Sequence, residues 1–119
     1  QRIRLSKATL RRVDMAPYEP FIAANGHLIM VGTAIYPALG PRPAAFEPKI
    51  VRGELRQRLG FQGVTITDAM GTVAVNDFGG TKRSAISAAH AGMDPRDPGA
   101  RTGHAARHRA ARRRASPAA

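Results

Sequence analysis

Asp68 is the residue whose position points most directly to chemistry. It follows Gly63–Thr67 (GVTIT), a run rich in β-branched residues that reads as a strand. A Gly-containing loop comes next, then a helix from about Thr81 to Ala91 that Gly92 ends. A carboxylate at the C-terminal end of a strand stands where active sites gather, in α/β barrels and open sheets alike. The competing reading is structural: an Asp at that point also caps the turn by accepting backbone N–H bonds.

The other reactive side chains point to chemistry less well. His27 falls at a strand start, the wrong end of a barrel for catalysis. His90 falls inside a helix and reads as surface or helix packing. His104 and His108 have the i, i+4 spacing that can hold a metal on a helix, but no third ligand accompanies them. Gly79-Gly80-Thr81-Lys82 lacks the earlier Gly and the Lys-Ser/Thr order of a phosphate loop. Arg112–Arg114 could contact phosphates, with no interleaved aromatic residue for base stacking. No Gly-x-Ser-x-Gly elbow occurs, and the absence of Cys removes disulfides and thiolate metal sites.

The elements that must position Asp68 alternate. Ala16–Ala24 reads as a short helix with Pro17 in its first turn and a left-handed end at Asn25-Gly26. His27–Ile35 is a mostly apolar run that suits a strand buried on both faces. Tyr36–Pro48 is a Pro-rich loop. A helix then starts at Pro48 and runs to Leu59, where Gly60 stops it. Val51, Leu55 and Leu59 form its apolar face beside Ile50, with the Glu54–Arg58 pair on the wetter side. Helix, strand, helix, strand, helix is the order of an α/β protein with parallel strands. Two strands do not complete a parallel sheet, so the middle reads as a piece of a larger α/β fold.

Charge divides the 119 residues differently. The net charge of +11, from 19 Lys+Arg against 8 Asp+Glu, first points to a nucleic-acid or other polyanion binder. Residues 1–12 form a basic segment without an acid, and residues 13–94 balance to zero. Residues 95–119 carry the rest of the excess. That tail has no Val, Ile, Leu, Met, Phe or Tyr and is expected to be disordered. No run of about 18 apolar residues predicts a transmembrane helix, and no apolar stretch near Gln1 marks a signal peptide.

Residues 13–94 resemble the later part of the catalytic barrel of glycoside hydrolase family 3, in its bacterial beta-N-acetylhexosaminidase branch. VDMAPYEPFIAA (Val13–Ala24) resembles the helix before the sixth barrel strand. LIMVGTAIYPAL (Leu28–Leu39) resembles that strand and its loop. RPAAFEPKIVRGELRQRLGFQGVTITDAM (Arg42–Met70) resembles the next helix and the seventh strand. SAISAAHAGMD (Ser84–Asp94) resembles the helix leading to the eighth. The pattern LGFxGVxITDxM is the most specific part.

The resemblance implies an incomplete (β/α)8 barrel, about strands six and seven with flanking helices, and assigns Asp68 as the catalytic nucleophile. It implies retaining hydrolysis of terminal beta-linked sugars, a beta-N-acetylglucosaminide first and a glucoside second, with no cofactor and no metal. The family's Lys-His pair and its Gly-His-Gly-Asp acid/base loop are not present, so the chain is expected to begin after the first five strands and to be inactive alone. Thr33 stands where the family often has His, and Glu47 where Ser or Thr often caps a helix, Glu being a poorer cap. After AGMD the family continues into an apolar strand. Here the Arg-rich composition from Pro95 onward points to an out-of-frame translation of GC-rich DNA. The alternatives are a basic polyanion-binding protein, which the neutral middle makes unlike a dedicated nucleic-acid binder, and an association of several copies into a barrel-like core.

Overall fold

The computed structural model describes residues 1–71 and 73–94. The 95–119 tail, with His104, His108 and Arg112–Arg114, lies outside the described residues.

The basic N-terminal segment contains a helix that its charge pattern does not announce. Ser6 caps it, accepting a bond from the Thr9 N–H at 3.1 Å. Helix α1 (Lys7–Thr9) runs directly into a π-type turn, Leu10–Asp14, closed by the Met15 N–H on the Leu10 carbonyl. Leu10 is almost fully buried, which anchors the segment to the core. Helix α2 (Tyr18–Ala23) follows, shorter than the expected Ala16–Ala24. It ends as predicted: Asn25 is left-handed at φ 58, and the Gly26 N–H returns to the Phe21 carbonyl at 2.9 Å. A Cβ on Gly26 would sit 2.2 Å from the half-exposed Phe21 ring, which packs directly over the turn.

Strand β1 is Leu28–Val31, four residues of the nine in the expected run His27–Ile35. Beyond Val31 the backbone turns to a new partner. The Gly32 carbonyl accepts from Ala45 N–H and the Ala34 carbonyl from Ala44 N–H, both in the 3-10 turn Ala44–Phe46. The expectation of a strand buried on both faces is also corrected. Ile29 and Val31 are buried, whereas Leu28 and Met30 are 52% and 56% exposed. Helices cover one face only, so the apolar residues of the other meet water.

The next helix spans Lys49–Arg58 with Pro48 at its N-cap, and it winds as a π-type helix, the Leu59 N–H reaching back to the Glu54 carbonyl. Glu47, just before that N-cap, is buried, and its carboxylate accepts the Arg42 N–H at 3.4 Å and the Lys49 N–H at 3.3 Å. Glu54 is not on the wet side: it is buried with Val51 and Leu55. Gly60, at φ 73, ends the helix as expected.

Strand β2 (Val64–Thr67) lies parallel to β1, in the register Leu28↔Val64 through Val31↔Thr67. This pair is the α/β arrangement that the element order predicts. Gly63 just before it sits so close to β1 that a Cβ would be 2.4 Å from the His27 carbonyl oxygen. The loop expected after β2 contains helix α3 (Val73–Phe78), and α4 (Gly80–Ala91) follows between left-handed glycines at 79 and 92. The core gathers Phe46, Val51, Phe61, Val75, Ala88 and Met93, with Phe46 and Phe78 stacked at 5.0 Å.

Candidate active site

Asp68 extends the parallel ladder by one residue. Its N–H donates to the Val31 carbonyl at 3.3 Å, so the strand alternation continues through it. Val64, Ile66 and Asp68 therefore share one face of the sheet, the face on which Leu28 and Met30 are exposed. The carboxylate is exposed, and its Oδ1 accepts the Ala69 N–H at 2.6 Å. That bond is the turn-capping role. It fixes the rotamer and leaves Oδ2 directed at no donor among the described residues. Both readings of Asp68 thus fit one geometry, since a carboxylate oriented through one oxygen presents the other. No Lys or Arg forms an ion pair with it among the described residues.

What holds Asp68 in place is the anchoring of β2. Arg56, on the Lys49–Arg58 helix, lies over the Phe61 ring at 5.3 Å and reaches the strand's entry. It donates to the Gly63 carbonyl at 2.6 Å, the Phe61 carbonyl at 3.3 Å and the Thr65 hydroxyl at 3.3 Å. It also pairs with the Asp94 carboxylate at 2.7 Å. Asp94 in turn accepts the Thr65 N–H at 3.0 Å, and the Asp94 N–H donates to the Thr65 hydroxyl at 2.9 Å. Thr65 is fully buried, so its polar groups need these partners. The signal for this clamp in the sequence is an Arg set among helix apolars and an Asp closing AGMD, 38 residues apart.

A second carboxylate cluster is structural. Glu54 receives Arg11 through both oxygens, at 2.7 and 3.1 Å, and Arg58 one turn later on its own helix. Burial pushes the Glu54 carboxyl up, but the hydrogen bonds from Arg11 and Arg58 outweigh it, and the group is held below the usual carboxylate range. Arg11, Arg56 and Arg58 are thus each paired with a carboxylate, which offsets part of the positive charge that the composition alone implies.

The remaining candidates do not converge on Asp68. His27 is exposed and its carbonyl accepts the Val64 N–H, at the opposite end of the sheet from Asp68. His90 is exposed on α4, its carbonyl accepting from Arg52 at 3.1 Å. Thr81 and Lys82 are exposed at the start of α4, where no side chain caps the helix. Thr33 is half-buried, two residues beyond Val31 and at the Asp68 end of the sheet. Among the described residues no three of His, Asp and Glu lie close enough to hold a metal, and no helix is long and apolar enough to cross a membrane. Two cavities flank the sheet. One of about 170 Å³ runs along β1, touching Ile29 through Gly32, beneath Leu10 and Tyr36. Burial raises the Tyr36 phenol, with Asp14 and Tyr18 adding to the shift. The other, of about 350 Å³, lies between β2 and α4, against Ile66, Thr67, Met70, Ala88, Met93 and Asp94.

Residues 2–96 match the model of the family described as "Glycosyl hydrolase family 3 N terminal domain". A beta-hexosaminidase of Stenotrophomonas maltophilia is 35% identical over 85 residues, 71% of this chain and 25% of that protein. Among solved structures, a family 3 beta-N-acetylglucosaminidase from a Paenibacillus species superposes with a TM-score of 0.75 at 29% identity, over 78% of this chain and 18% of that one. A beta-N-acetylhexosaminidase from Beutenbergia cavernae superposes at 0.68 with 32% identity, over 76% and 27%. The chain spans about a quarter of the length of the curated relatives it matches.

Proposed function

Starting from the chain's membership of glycosyl hydrolase family 3, which the match over residues 2–96 establishes, we propose that it supplies the nucleophile strand of a retaining glycoside hydrolase. In this reading β1 and β2 are the sixth and seventh strands of a (β/α)8 barrel. The substrate is a terminal beta-linked amino sugar, with N-acetylglucosaminides first, in keeping with the printed names of the relatives.

The observation that carries the proposal is the carboxylate at the end of β2. It lies on the uncovered face of a parallel sheet and is oriented by the Ala69 N–H through one oxygen only. The free oxygen attacks the anomeric carbon while the bond to the leaving-group oxygen breaks, giving a glycosyl ester on Asp68. Water then displaces the carboxylate at the same carbon, and two inversions give net retention. The leaving oxygen needs a proton, and the described residues place no acid opposite Asp68. Loss of a general acid lowers rates by roughly 10²–10⁴-fold. Turnover of a chromogenic beta-N-acetylglucosaminide by this chain alone is therefore negligible.

The test is a chimera in which residues of this chain replace the 85 matching residues of the Stenotrophomonas relative. The chimera hydrolyses the substrate, and Asp68→Asn lowers kcat by about 10³-fold or more. An Asp68→Asn chimera with unchanged kcat overturns the assignment.

A further inference from the structure

We propose that the Asn25-Gly26 turn is a site of spontaneous covalent modification, at which Asn25 converts to isoaspartate with water as the only co-reactant, and that this change loosens the entry of the β1–β2 ladder. The proposal does not depend on the role of Asp68.

The two residues set the chemistry. The Gly26 backbone nitrogen attacks Cγ of the Asn25 side chain and gives up its proton. The new N–Cγ bond closes a five-membered succinimide, and the side-chain nitrogen leaves as ammonia. Water then adds to one of the two ring carbonyls and breaks its bond to nitrogen. Opening at Cγ gives Asp. Opening at the backbone carbonyl gives isoaspartate, in which the main chain runs through Cβ and Cγ. Glycine favours closure because it brings no Cβ against the forming ring. The chain has two Asn residues, and only Asn25 precedes glycine; Asn76 precedes Asp77.

The turn is accessible and lightly held. Asn25 is exposed and is the one non-glycine residue with left-handed backbone among the described residues. No residue of α2, the helix that leads into it, is buried. Backbone bonds alone tie the turn to that helix: Ala24 N–H to the Pro20 carbonyl and Asn25 N–H to the Ile22 carbonyl, both at 3.0 Å, and Gly26 N–H to the Phe21 carbonyl at 2.9 Å. The last bond guards the site, because the nitrogen that attacks is its donor. Ring closure therefore waits on release of Gly26 from Phe21. A short helix end without buried side chains opens far more readily than the whole fold. The closed turn slows the reaction without preventing it.

The position gives the modification its effect. Two residues on, the His27 carbonyl accepts the Val64 N–H at 2.8 Å, the first rung of the ladder. Isoaspartate inserts a backbone carbon ahead of that rung and adds a carboxylate. A Cβ on Gly63 would lie 2.4 Å from the same carbonyl oxygen, so the two strands have little slack to absorb a shifted His27.

The full chain is incubated in neutral buffer, with and without urea, and digested with trypsin at intervals. Cleavage after Arg12 and Lys49, with the Arg42–Pro43 bond left intact, gives peptide 13–49, in which Asn25 is the only side-chain amide. This peptide is expected to give way to two products that carry OH in place of NH2, one of them isoaspartate by electron-transfer fragmentation. The rate in urea, where the Gly26–Phe21 bond is open, is at least about 3-fold higher. Asn76 changes more slowly than Asn25. Asn25→Gly keeps the left-handed turn and leaves peptide 13–49 a single species. In the isoaspartate form, separated by ion exchange, the Val64 amide exchanges hydrogen at least about 3-fold faster than in the parent. Asn25→Asp, which adds the charge without the backbone carbon, leaves that exchange unchanged. An unmodified peptide 13–49 at a time when Asn76 has reacted overturns the site. Equal rates with and without urea overturn the guarding bond. An isoaspartate form whose Val64 amide exchanges at the parent rate overturns the effect on the ladder.

Discussion

Removing Arg56 should loosen the strand that presents Asp68, and the size of the effect can be worked from its partners. In Arg56→Met the aliphatic stem is kept over the Phe61 ring while every donor is lost. The Gly63 carbonyl at 2.6 Å and the Asp94 carboxylate at 2.7 Å lose their strongest bonds, and the Phe61 carbonyl and Thr65 hydroxyl lose weaker ones at 3.3 Å. Removing one member of a fully buried ion pair costs about 3–5 kcal/mol. This pair keeps 20% and 17% of its side-chain surface in water, so part of the loss is recovered by hydration. An effect of about 2–3 kcal/mol results. Folded domains hold only about 5–15 kcal/mol in all, so the midpoint shift in urea is large. Arg56→Lys retains the charge but not the fork, and recovers less than half of the loss. A double-mutant cycle with Asp94→Asn should give a coupling above about 1 kcal/mol. An Arg56→Met shift within about 0.5 kcal/mol of the parent, or strictly additive Arg56 and Asp94 effects, would refute the clamp.

Three further outcomes follow from the same structure. Because the Glu54 carboxyl is held below its ordinary value, its contribution to stability is complete above about pH 4.5 and is lost as the pH falls through the lowered folded value; Tm measured from pH 7 to pH 3 should drop in that window, with a shallower drop in Glu54→Gln. Gly63→Ala places a Cβ 2.4 Å from the His27 carbonyl oxygen and should destabilise by about 1–3 kcal/mol, read as a lower denaturation midpoint; an unchanged midpoint contradicts the close approach of the two strands. Phe61→Ala empties a fully buried position beneath Arg56 and should cost about 3–5 kcal/mol, so a variant that remains folded with an unchanged melting curve contradicts the core assignment.

Several features of the fold are legible in the residue order because they are local. Asn25, Gly60 and Gly92 mark chain reversals that depend on one backbone angle each, and all three take the left-handed conformation. The strand before Asp68 is legible for the same reason, since β-branched residues in a short run settle it. What is not legible depends on partners distant in sequence. Glu54 reads as a surface residue beside Arg58 because the helix alone offers it no second cation. Arg11, 43 residues earlier, arrives on another element and makes its burial tolerable. The Arg56–Asp94 pair is hidden similarly, at a separation of 38. The exposure of Leu28 and Met30 is hidden for a different reason. An apolar run says that a strand prefers burial on both faces, not whether this stretch of chain contains enough elements to provide it. Helix α3 escaped because its six residues, Val73–Phe78, fall between Gly71 and Gly79-Gly80, which read as loop punctuation.

The central claim is that Asp68 forms a covalent bond to the sugar. The chimera carrying this chain's residues is incubated with a slowly turned-over, fluorinated amino-sugar substrate and digested with trypsin. Cleavage after Arg58 and Lys82 isolates the peptide 59–82, in which Asp68 and Asp77 are the carboxylate side chains. The account predicts one added glycosyl mass on that peptide, placed on Asp68 by fragmentation. An adduct on Asp77, or none while the product forms with inverted anomeric configuration, would contradict it.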